Sequence, residues 1–446
     1  MSKNYISIWI NIMTRVISVS IESWSEFSIK DICINISSGG TPSRKVPEYY
    51  LNGVHKWIKT QELKDCNIYD TDEHITDAAL KNSSAKIYPK NTISMAMYGA
   101  TVGKLGIMKS ECATNQACCN MVVDSTKADY RFLFYSLLYR REELIGLASG
   151  AAQQNLNVGV ISNFRINLPT LSEQKVIAAT LSVLDDMIEL NNQINKTLEE
   201  MAQAIFKSWF VDFEPFKDGE FEESELGLIP KGWRVGTIDE LIKETIGGDW
   251  GKETPQGNYT EKVICIRGAD IPEIAQGRRG NPATRYILKS NLEKKKLNEN
   301  EIIIEISGGS PTQSTGRTVL ITKELINSFQ EPIICTNFCR RVRLKEAIYS
   351  SFVYSLLQYL YNEKVFFTYE NGTTGIKNLD ITTLFGQYQT VIPSDEVFAE
   401  YHSMYSEFLR YIYESGFECK KLSEIRETLL PKLMSGEIRV PVDEVV

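Results

Sequence analysis

The chain contains two long stretches in which apolar residues recur at alternating steps of four and three. The first covers residues 171–210, and the same register returns 224 residues later. This heptad pattern predicts helices that bury one seam, and two helices in one register favour an antiparallel pair. Taken singly, each could instead be a helix packed on a globular domain. The predicted seam comprises Ile177, Leu181, Leu184, Ile188, Asn191, Leu198 and Ile205 in the first helix and Tyr401, Tyr405, Phe408, Ile412, Ser415, Leu422 and Leu429 in the second.

The segments between these helices predict compact domains of strands and short helices. β-Branched runs at residues 91–97, 301–306 and 319–322 indicate strands, and Tyr-Ser-Leu-Leu at 135–138 and 354–357 indicates a short helix in each segment. The predicted fold class is α+β. It has two globular mixed-sheet domains alternating with two long α-helices that pair as an antiparallel coiled coil.

The two globular segments are divergent copies of each other. Each opens on a tryptophan, continues into a Gly-Gly turn and ends near an Asn-Leu pair, in the same order. By letter, Thr114-Asn115 of the first copy matches Thr336-Asn337 of the second. The order predicts a leader (1–23), a first globular domain (24–170), a first spacer helix (171–211), an acidic linker (212–232), a second globular domain (233–392) and a second spacer helix with a tail (393–440).

Composition and terminal sequence predict a cytoplasmic protein. No stretch of about 18 apolar residues lacks charges, so no membrane span is expected. The apolar run in residues 1–23 is interrupted by Asn11, Thr14 and Arg15, and no small-residue cleavage site follows, which excludes a typical signal peptide. The nine cysteines are odd in number and form no C-x-x-C pair, which favours reduced thiols.

The net charge of −8 is concentrated in the helical segments. Residues 171–229 hold 4 basic and 13 acidic residues and residues 393–446 hold 6 and 11, whereas both globular segments have a small basic surplus. Such a surplus fits a DNA-facing domain and many other surfaces. In the basic run Arg340-Arg341-Val342-Arg343, alternation is expected to turn Arg341 away from Arg340 and Arg343. The alternative interpretation is a charged strand edge.

No catalytic motif is recognisable in the chain. The nearest candidate for a phosphate loop, residues 99–105, is one residue short and lacks the hydroxyl after Lys104 that would hold Mg²⁺. Three scattered histidines make a histidine-rich metal centre unexpected. The sequence therefore predicts a protein that binds rather than one that reacts.

Two loops of glycine and hydroxyl residues, at 101–104 and 312–317, each end on a basic residue. Glycine lets a backbone approach DNA closely, hydroxyl and basic side chains contact phosphate, arginine or lysine reads guanine, and amides read adenine. The same residues would also suit a solvated hairpin turn. The candidate DNA contacts are Thr41, Lys59, Tyr98, Thr101, Lys104, Gln116, Gln153, Gln154, Asn155, Arg267, Ser310, Thr312, Gln313, Arg317, Asn337, Thr373, Lys377 and Asn378.

Several phrases resemble one known family. They are Leu-Pro-Thr-Leu-Ser-Glu-Gln-Lys at 168–175, Ala-Ile-Phe-Lys-Ser-Trp-Phe-Val-Asp-Phe-Glu-Pro-Phe at 204–216, Gly-Leu-Ile-Pro-Lys-Gly-Trp at 227–233 and Leu-Pro-Lys-Leu-Met-Ser-Gly-Glu-Ile at 430–438. Together with the two repeats, they resemble the specificity subunit of type I restriction–modification systems over residues 24–440. The second helix departs from the usual Leu-Pro-x-x-x-Glu-Gln opening and reads Ile-Pro-Ser-Asp-Glu-Val-Phe.

The resemblance implies a non-catalytic DNA-binding subunit. Each globular domain would be a target recognition domain that reads one half of a bipartite, asymmetric sequence, and the helices would fix the number of unread base pairs between the halves. Two modification subunits would supply S-adenosylmethionine and methylate adenine. Motor–nuclease restriction subunits would use ATP and Mg²⁺. The chain itself would bind no cofactor and no metal.

Two other classes of function stay open from the residues alone. An enzyme with its own active site, such as a nuclease, would show metal-dependent cleavage by the isolated chain. A structural adaptor with two protein-binding domains would show no DNA affinity, and the acidic balance favours this alternative.

Overall fold

A computed structural model describes residues 24–147, 155–308, 313–372 and 377–440 of the chain. These residues form two compact units. The first unit extends to Asp186 and includes the chain from Leu422 onward, and the second covers Met187–Lys421. Each unit thus takes part of both long helices, whereas the predicted boundaries treat the helices as separate segments. Within the described residues, no helix is long and apolar enough to cross a membrane.

The first unit is built on mixed sheets. Its strands are β1 (Ser25–Ser28), β2 (Cys33–Ser38), β3 (His55–Ile58), β4 (Cys66–Ile68), β5 (His74–Ile75), β6 (Ile87–Tyr88), β7 (Ile93–Ala96), β8 (Leu105–Met108), β9 (Cys112–Thr114), β10 (Cys118–Val123) and β11 (Arg165–Leu168). They form a sheet of order β2-β10-β7-β8-β4, another of order β5-β3-β9-β6 and the pair β1-β11. The pairs β3–β9 and β4–β8 are parallel.

Four short helices, the start of the first long helix and the end of the second complete the part of this unit that the structure describes. The helices that begin in this unit are α1 (Asp77–Lys81), α2 (Tyr130–Tyr139), α3 (Arg141–Gly146), α4 (Val158–Asn163) and the long α5 (Leu171–Phe210). Phe132 and Leu133 of α2 are fully buried and belong to the same apolar core as Met95 of β7 and Met121 of β10. Asp129 caps α2 by accepting hydrogen bonds from the backbone of its first turn.

The second unit repeats this plan. Its strands are β12 (Phe221–Ser224), β13 (Gly227–Pro230), β14 (Arg234–Thr237), β15 (Ile242–Gly247), β16 (Tyr259–Ile266), β17 (Ala283–Leu288), β18 (Ile302–Glu305), β19 (Ser307–Gly308), β20 (Thr318–Leu320), β21 (Ile333–Cys335), β22 (Cys339–Leu344), β23 (Glu370–Asn371), β24 (Lys377–Leu379) and β25 (Gln389–Ile392). Its sheets have the orders β15-β22-β18-β20, β17-β16-β21 and β19-β24-β23, with the pairs β12-β13 and β14-β25. Its helices are α6 (Ile271–Ala275), α7 (Lys289–Lys295), α8 (Lys323–Asn327), α9 (Tyr349–Asn362), α10 (Ile381–Gln387) and the long α11 (Asp395–Met434).

The two long helices pair antiparallel within each unit. In the second unit, Asn191 Nδ2 donates to Glu418 Oε2 at 3.1 Å and Asn195 Nδ2 donates to the Ile412 carbonyl oxygen at 3.0 Å, so the partner number falls as the residue number rises. In the first unit, Asp185 pairs with Arg426 at 2.6 Å. Every predicted seam residue is buried or half-buried. The predicted fold class is confirmed.

The expectations for the arginine run in β22 are wrong in two respects. This strand lies between β15 and β18 and is not a sheet edge. Arg341 and Arg343 also share one side, since both reach Glu244 and Glu301. The reason is elementary, because residues two apart on a strand lie on the same face.

Gly416 in α11 meets Gly277, which follows α6, backbone to backbone. A Cβ at Gly416 would collide with the Gly277 carbonyl group. Gly416→Ala is therefore expected to lower the free energy of unfolding by about 1–3 kcal/mol, although alanine in a helix ordinarily gains about 1 kcal/mol over glycine. Urea denaturation measures the change. Gly386→Ala, where the added methyl meets nothing, is the control and should not destabilise. Equal stabilisation of both variants would contradict the close approach.

Candidate nucleic-acid interface

Backbone hydrogen bonds align the two units residue by residue. In the first, Gly39 N donates to the Cys118 carbonyl oxygen at 3.1 Å, and in the second Gly248 N donates to that of Cys339 at 3.3 Å. The glycine turn lies close to the loop that precedes β10 in the first unit and β22 in the second. A Cβ on Gly39 or Gly248 would collide with the backbone of that loop. The glycines are therefore required by a close approach of two chain segments.

This alignment differs by one residue from the match by letters. Ile58 pairs with Thr114 in the parallel pair β3–β9, and Ile266 pairs with Cys335 in β16–β21. Thr114 therefore corresponds to Cys335 and not to Thr336, because strand pairing and not letter identity sets the register. As a consequence, Gln116 and Asn337 occupy the same place in the two units, and both are exposed.

Four of the predicted contacts come together at one end of the first unit. Gln116 N donates to Thr41 Oγ1 at 3.4 Å, and the Tyr98 hydroxyl donates to the Gln116 carbonyl oxygen at 3.1 Å. Asn155 is adjacent, because the residue after it donates its backbone N–H to the residue before Tyr98 at 2.8 Å. All four side chains are exposed. An exposed amide beside two hydroxyls can read a base edge.

The basic residues predicted in the first unit are held by carboxylates. Lys59 Nζ lies 2.9 Å from Glu73, and Arg44 lies 2.6 Å from the same carboxylate. These hydrogen bonds, with that of Arg44 the stronger, lower the pKa of Glu73 to about 2. Lys104 pairs with Asp65 at 2.7 Å, and Thr101 is half-buried nearby in sequence. Each of these lysines therefore already has a carboxylate partner within the unit.

In the second unit, the exposed predicted contacts are Asn337, Asn378 and Gln313. Asn378 lies opposite Ser307 in the β19–β24 pair. Gln313 Nε2 donates to the Tyr361 hydroxyl at 3.2 Å. These three residues supply amides, as Gln116 and Asn155 do in the first unit.

The basic residues predicted in the second unit are also paired. Arg267 donates to both carboxylate oxygens of Asp270, at 3.0 and 2.9 Å. Lys377 lies 2.8 Å from Glu370, and Arg317 forms a two-fold contact with Glu305. Five further candidates, Gln153, Gln154, Ser310, Thr312 and Thr373, lie outside the described residues, as does the leader.

Sequence reasoning missed an arginine stacked on an aromatic ring in each unit. The Arg44 guanidinium carbon lies 4.2 Å from the centre of the Tyr50 ring, and that of Arg285 lies 3.9 Å from the centre of the Trp250 ring. Phe338, which is 53% exposed beside Asn337, was missed as well. The signal was available only in part, since an aromatic residue in a loop is visible in the sequence but its stacking partner is not.

The described part of the chain offers no metal centre. No group of three or more His, Cys, Asp or Glu side chains among these residues could hold a metal ion. Burial raises the pKa of the Cys118 thiol to about 12, which keeps it protonated near neutral pH. What the two exposed clusters offer is recognition chemistry.

The chain is similar to known specificity subunits. The family model for the type I restriction modification DNA specificity domain matches residues 21–200. The type I restriction enzyme MjaIX specificity subunit of Methanocaldococcus jannaschii is 30% identical over 432 residues, 94% of each chain. The HindI specificity subunit of Haemophilus influenzae is 26% identical over 342 residues, 62% of this chain and 70% of that protein.

A solved structure shares the fold. The crystal structure of the S subunit of a type I restriction–modification system from M. genitalium superposes with a TM-score of 0.57, at 16% identity, over 94% of this chain and 98% of that one. The near full-length match to the Methanocaldococcus protein decides the assignment. The chain belongs to the family of type I restriction enzyme specificity subunits.

Proposed function

We propose that this specificity subunit reads a bipartite, asymmetric DNA target, with one half bound by each recognition domain. The observation that carries the proposal is the pair of equivalent exposed clusters around Gln116 and Asn337. Both positions present an amide, the group that reads adenine by two hydrogen bonds. Their neighbours differ, with Thr41 and Tyr98 in one unit and Phe338 in the other. Because equivalent positions in the two units have different neighbouring side chains, we expect the two units to read different half-sites.

Substitution of the two amides is expected to affect different halves of the target. Gln116→Ala and Asn337→Ala should each weaken discrimination at one base pair by about 1–3 kcal/mol. The measurement is binding of duplexes with every single-base change by the subunit in its complex with the modification subunit. Gln193→Ala, an exposed glutamine on α5, is the matched control. Uniform weakening over all duplexes, or effects in one half only, would contradict the assignment.

We further propose that the long helices set the unread spacing and receive the modification subunits. Each helix has 40 residues, which corresponds to about 60 Å of length. Beyond the seam, α5 carries a second apolar row on its surface, with side chains 40–56% exposed. Steps of four, three, four and seven place these residues on one stripe, which we call the outer stripe: Val183, Met187, Leu190, Ile194 and Met201. Uncovered apolar rows of this kind are typical of protein-binding surfaces.

Charges placed on the outer stripe are expected to release the modification subunit. The double variant Leu190→Glu, Ile194→Glu should weaken that complex at least about 30-fold, equivalent to about 2 kcal/mol. Analytical ultracentrifugation of the two proteins measures the affinity. Leu226→Glu, an exposed leucine on the β12–β13 turn, is the control and should leave it unchanged. Full-strength assembly by the double variant would refute this docking surface.

The proposed reactions belong to the partner subunits. The modification subunits would hold S-adenosylmethionine and methylate a flipped-out adenine, and the motor–nuclease restriction subunits would use ATP and Mg²⁺. In this account, the chain is not an enzyme by itself and acts in the cytoplasm on double-stranded DNA. Its contribution is to choose the sequence on which both partners act.

A further inference from the structure

Arg317 is held by a carboxylate along one edge of its guanidinium group. Its Nε donates to Glu305 Oε2 at 2.8 Å and its Nη2 donates to Glu305 Oε1 at 2.6 Å. The Glu305 side chain is 5% exposed and that of Arg317 is 26% exposed. A guanidinium group has five N–H donors, so the pairing leaves three, two on Nη1 and one on Nη2. None of these three bonds to a described residue.

Two glycines leave open the space that the carboxylate occupies. Gly268 lies so close that a Cβ there would collide with Glu305 Oε1, and a Cβ at Gly308 would lie 2.9 Å from the same atom. Larger residues at either place would displace the carboxylate. The buried Glu305 carboxylate and its two hydrogen bonds set the plane of the Arg317 guanidinium.

The supported arginine lies at the candidate interface. Arg317 and Glu305 are joined by a backbone hydrogen bond of 2.9 Å. The residue after Glu305 donates its N–H to the carbonyl oxygen of Phe338, also at 2.9 Å, and Phe338 adjoins the exposed Asn337. The Arg317 guanidinium therefore lies at the same end of the sheet as the Asn337 amide.

The first unit lacks this device. Ala96 pairs with Cys118 as Glu305 pairs with Cys339, so alanine stands in place of the carboxylate. Lys104 stands in place of Arg317, because its carbonyl oxygen accepts from Ala96 N at 2.9 Å. A lysine is a point charge and cannot present two parallel N–H groups in a plane. The difference between the units is thus one of recognition chemistry and not of charge.

We propose that Arg317 reads a guanine in the half-site of the second unit and that Glu305 is its positioning residue. The free edge of the guanidinium matches the O6 and N7 acceptors of guanine in the major groove. Phosphate can also accept two hydrogen bonds from an arginine fork, and a loss confined to one base pair distinguishes guanine from phosphate as the group that Arg317 binds. The inference rests on the proposed function and names one base of the second half-site.

The test uses the subunit in complex with its modification subunit. The duplexes carry its DNA target, which is the motif found methylated in cells that express both proteins. Replacing the guanine with 7-deazaguanine removes only the N7 acceptor, and should weaken binding by wild-type protein about tenfold. Arg317→Lys and Glu305→Gln should both reduce discrimination at this one base pair, because neither variant holds a planar pair of N–H donors in place, and 7-deazaguanine should have a smaller effect on Arg317→Lys than on the wild-type protein. Arg410→Lys makes the same exchange in an ion pair on α11 and should keep the wild-type profile.

Three results separate the possible failures. The guanine assignment would be overturned if no guanine of the second half-site gave weaker wild-type binding when replaced with 7-deazaguanine. A uniform loss of affinity over all duplexes in Arg317→Lys would overturn it as well. Loss at that guanine in Arg317→Lys with none in Glu305→Gln would overturn the positioning role. Absence of specific binding by the wild-type complex would instead contradict the proposed function. The 7-deazaguanine measurement on wild-type protein decides the guanine assignment even if a variant does not fold.

Discussion

Arg341→Leu is expected to destabilise the second unit by about 3–5 kcal/mol, because it breaks a buried ionic cluster and leaves Arg343 to pair alone with Glu244 and Glu301. Arg341 is 2% exposed and donates through Nη1 to the carbonyl oxygens of Lys294 and Lys296, at 2.8 and 3.1 Å. Its Nη2 donates to Glu244 at 2.8 Å, and Glu301, itself 3% exposed, lies 3.7 Å from its Nε. Leucine would satisfy none of these acceptors.

Urea denaturation of the purified subunit measures this loss. Lys345→Leu, which removes an exposed charge just beyond the same strand, is the control and is expected to change the free energy of unfolding by less than about 1 kcal/mol. Equal stability of the Arg341→Leu variant and the wild-type protein would show that the ionic cluster is dispensable for folding.

Phe210→Ala is expected to cost about 3–5 kcal/mol as well, here through loss of packing. Phe210 ends α5 and is 4% exposed. Its ring centre lies 4.9 Å from those of Phe352 and Tyr401, both edge-to-face, and 5.9 Å from that of Trp233. Truncation would leave a cavity among aromatic rings, which relax little.

The expected signature is a lower midpoint of denaturation with an unchanged dependence on urea concentration. Leu226→Ala is the control, since Leu226 is 46% exposed and has little packing to lose. A cost below about 1 kcal/mol for Phe210→Ala would contradict the role of this aromatic cluster in joining helix and domain.

The long helices could be predicted from the sequence because their seam is periodic. Ile177 and Tyr401 are fully buried where the heptad register places them. From the sequence, residues 204–216 indicated only a resemblance to a family. The structure shows what these residues do, since Phe206, Trp209 and Phe210 form one cluster of aromatic rings with the second domain. Periodicity finds a buried face, but it does not identify the partners of an aromatic residue.

The interface could be predicted only in part. Gln116 and Asn155 are exposed as candidate contacts should be, but the letter match placed Thr114 opposite the wrong residue. Ion pairs were not foreseen, because Lys104 and its partner Asp65 are 39 residues apart in the chain. Such pairings depend on the tertiary fold, which no local pattern encodes.

Methylome sequencing of cells that express this subunit with its cognate modification subunit tests whether the chain specifies a bipartite DNA target. We expect one bipartite, asymmetric motif, methylated on adenine in both halves and lost when the gene for this subunit is deleted. The absence of any such motif, with both proteins folded and present, would contradict this expectation and favour an adaptor without DNA specificity.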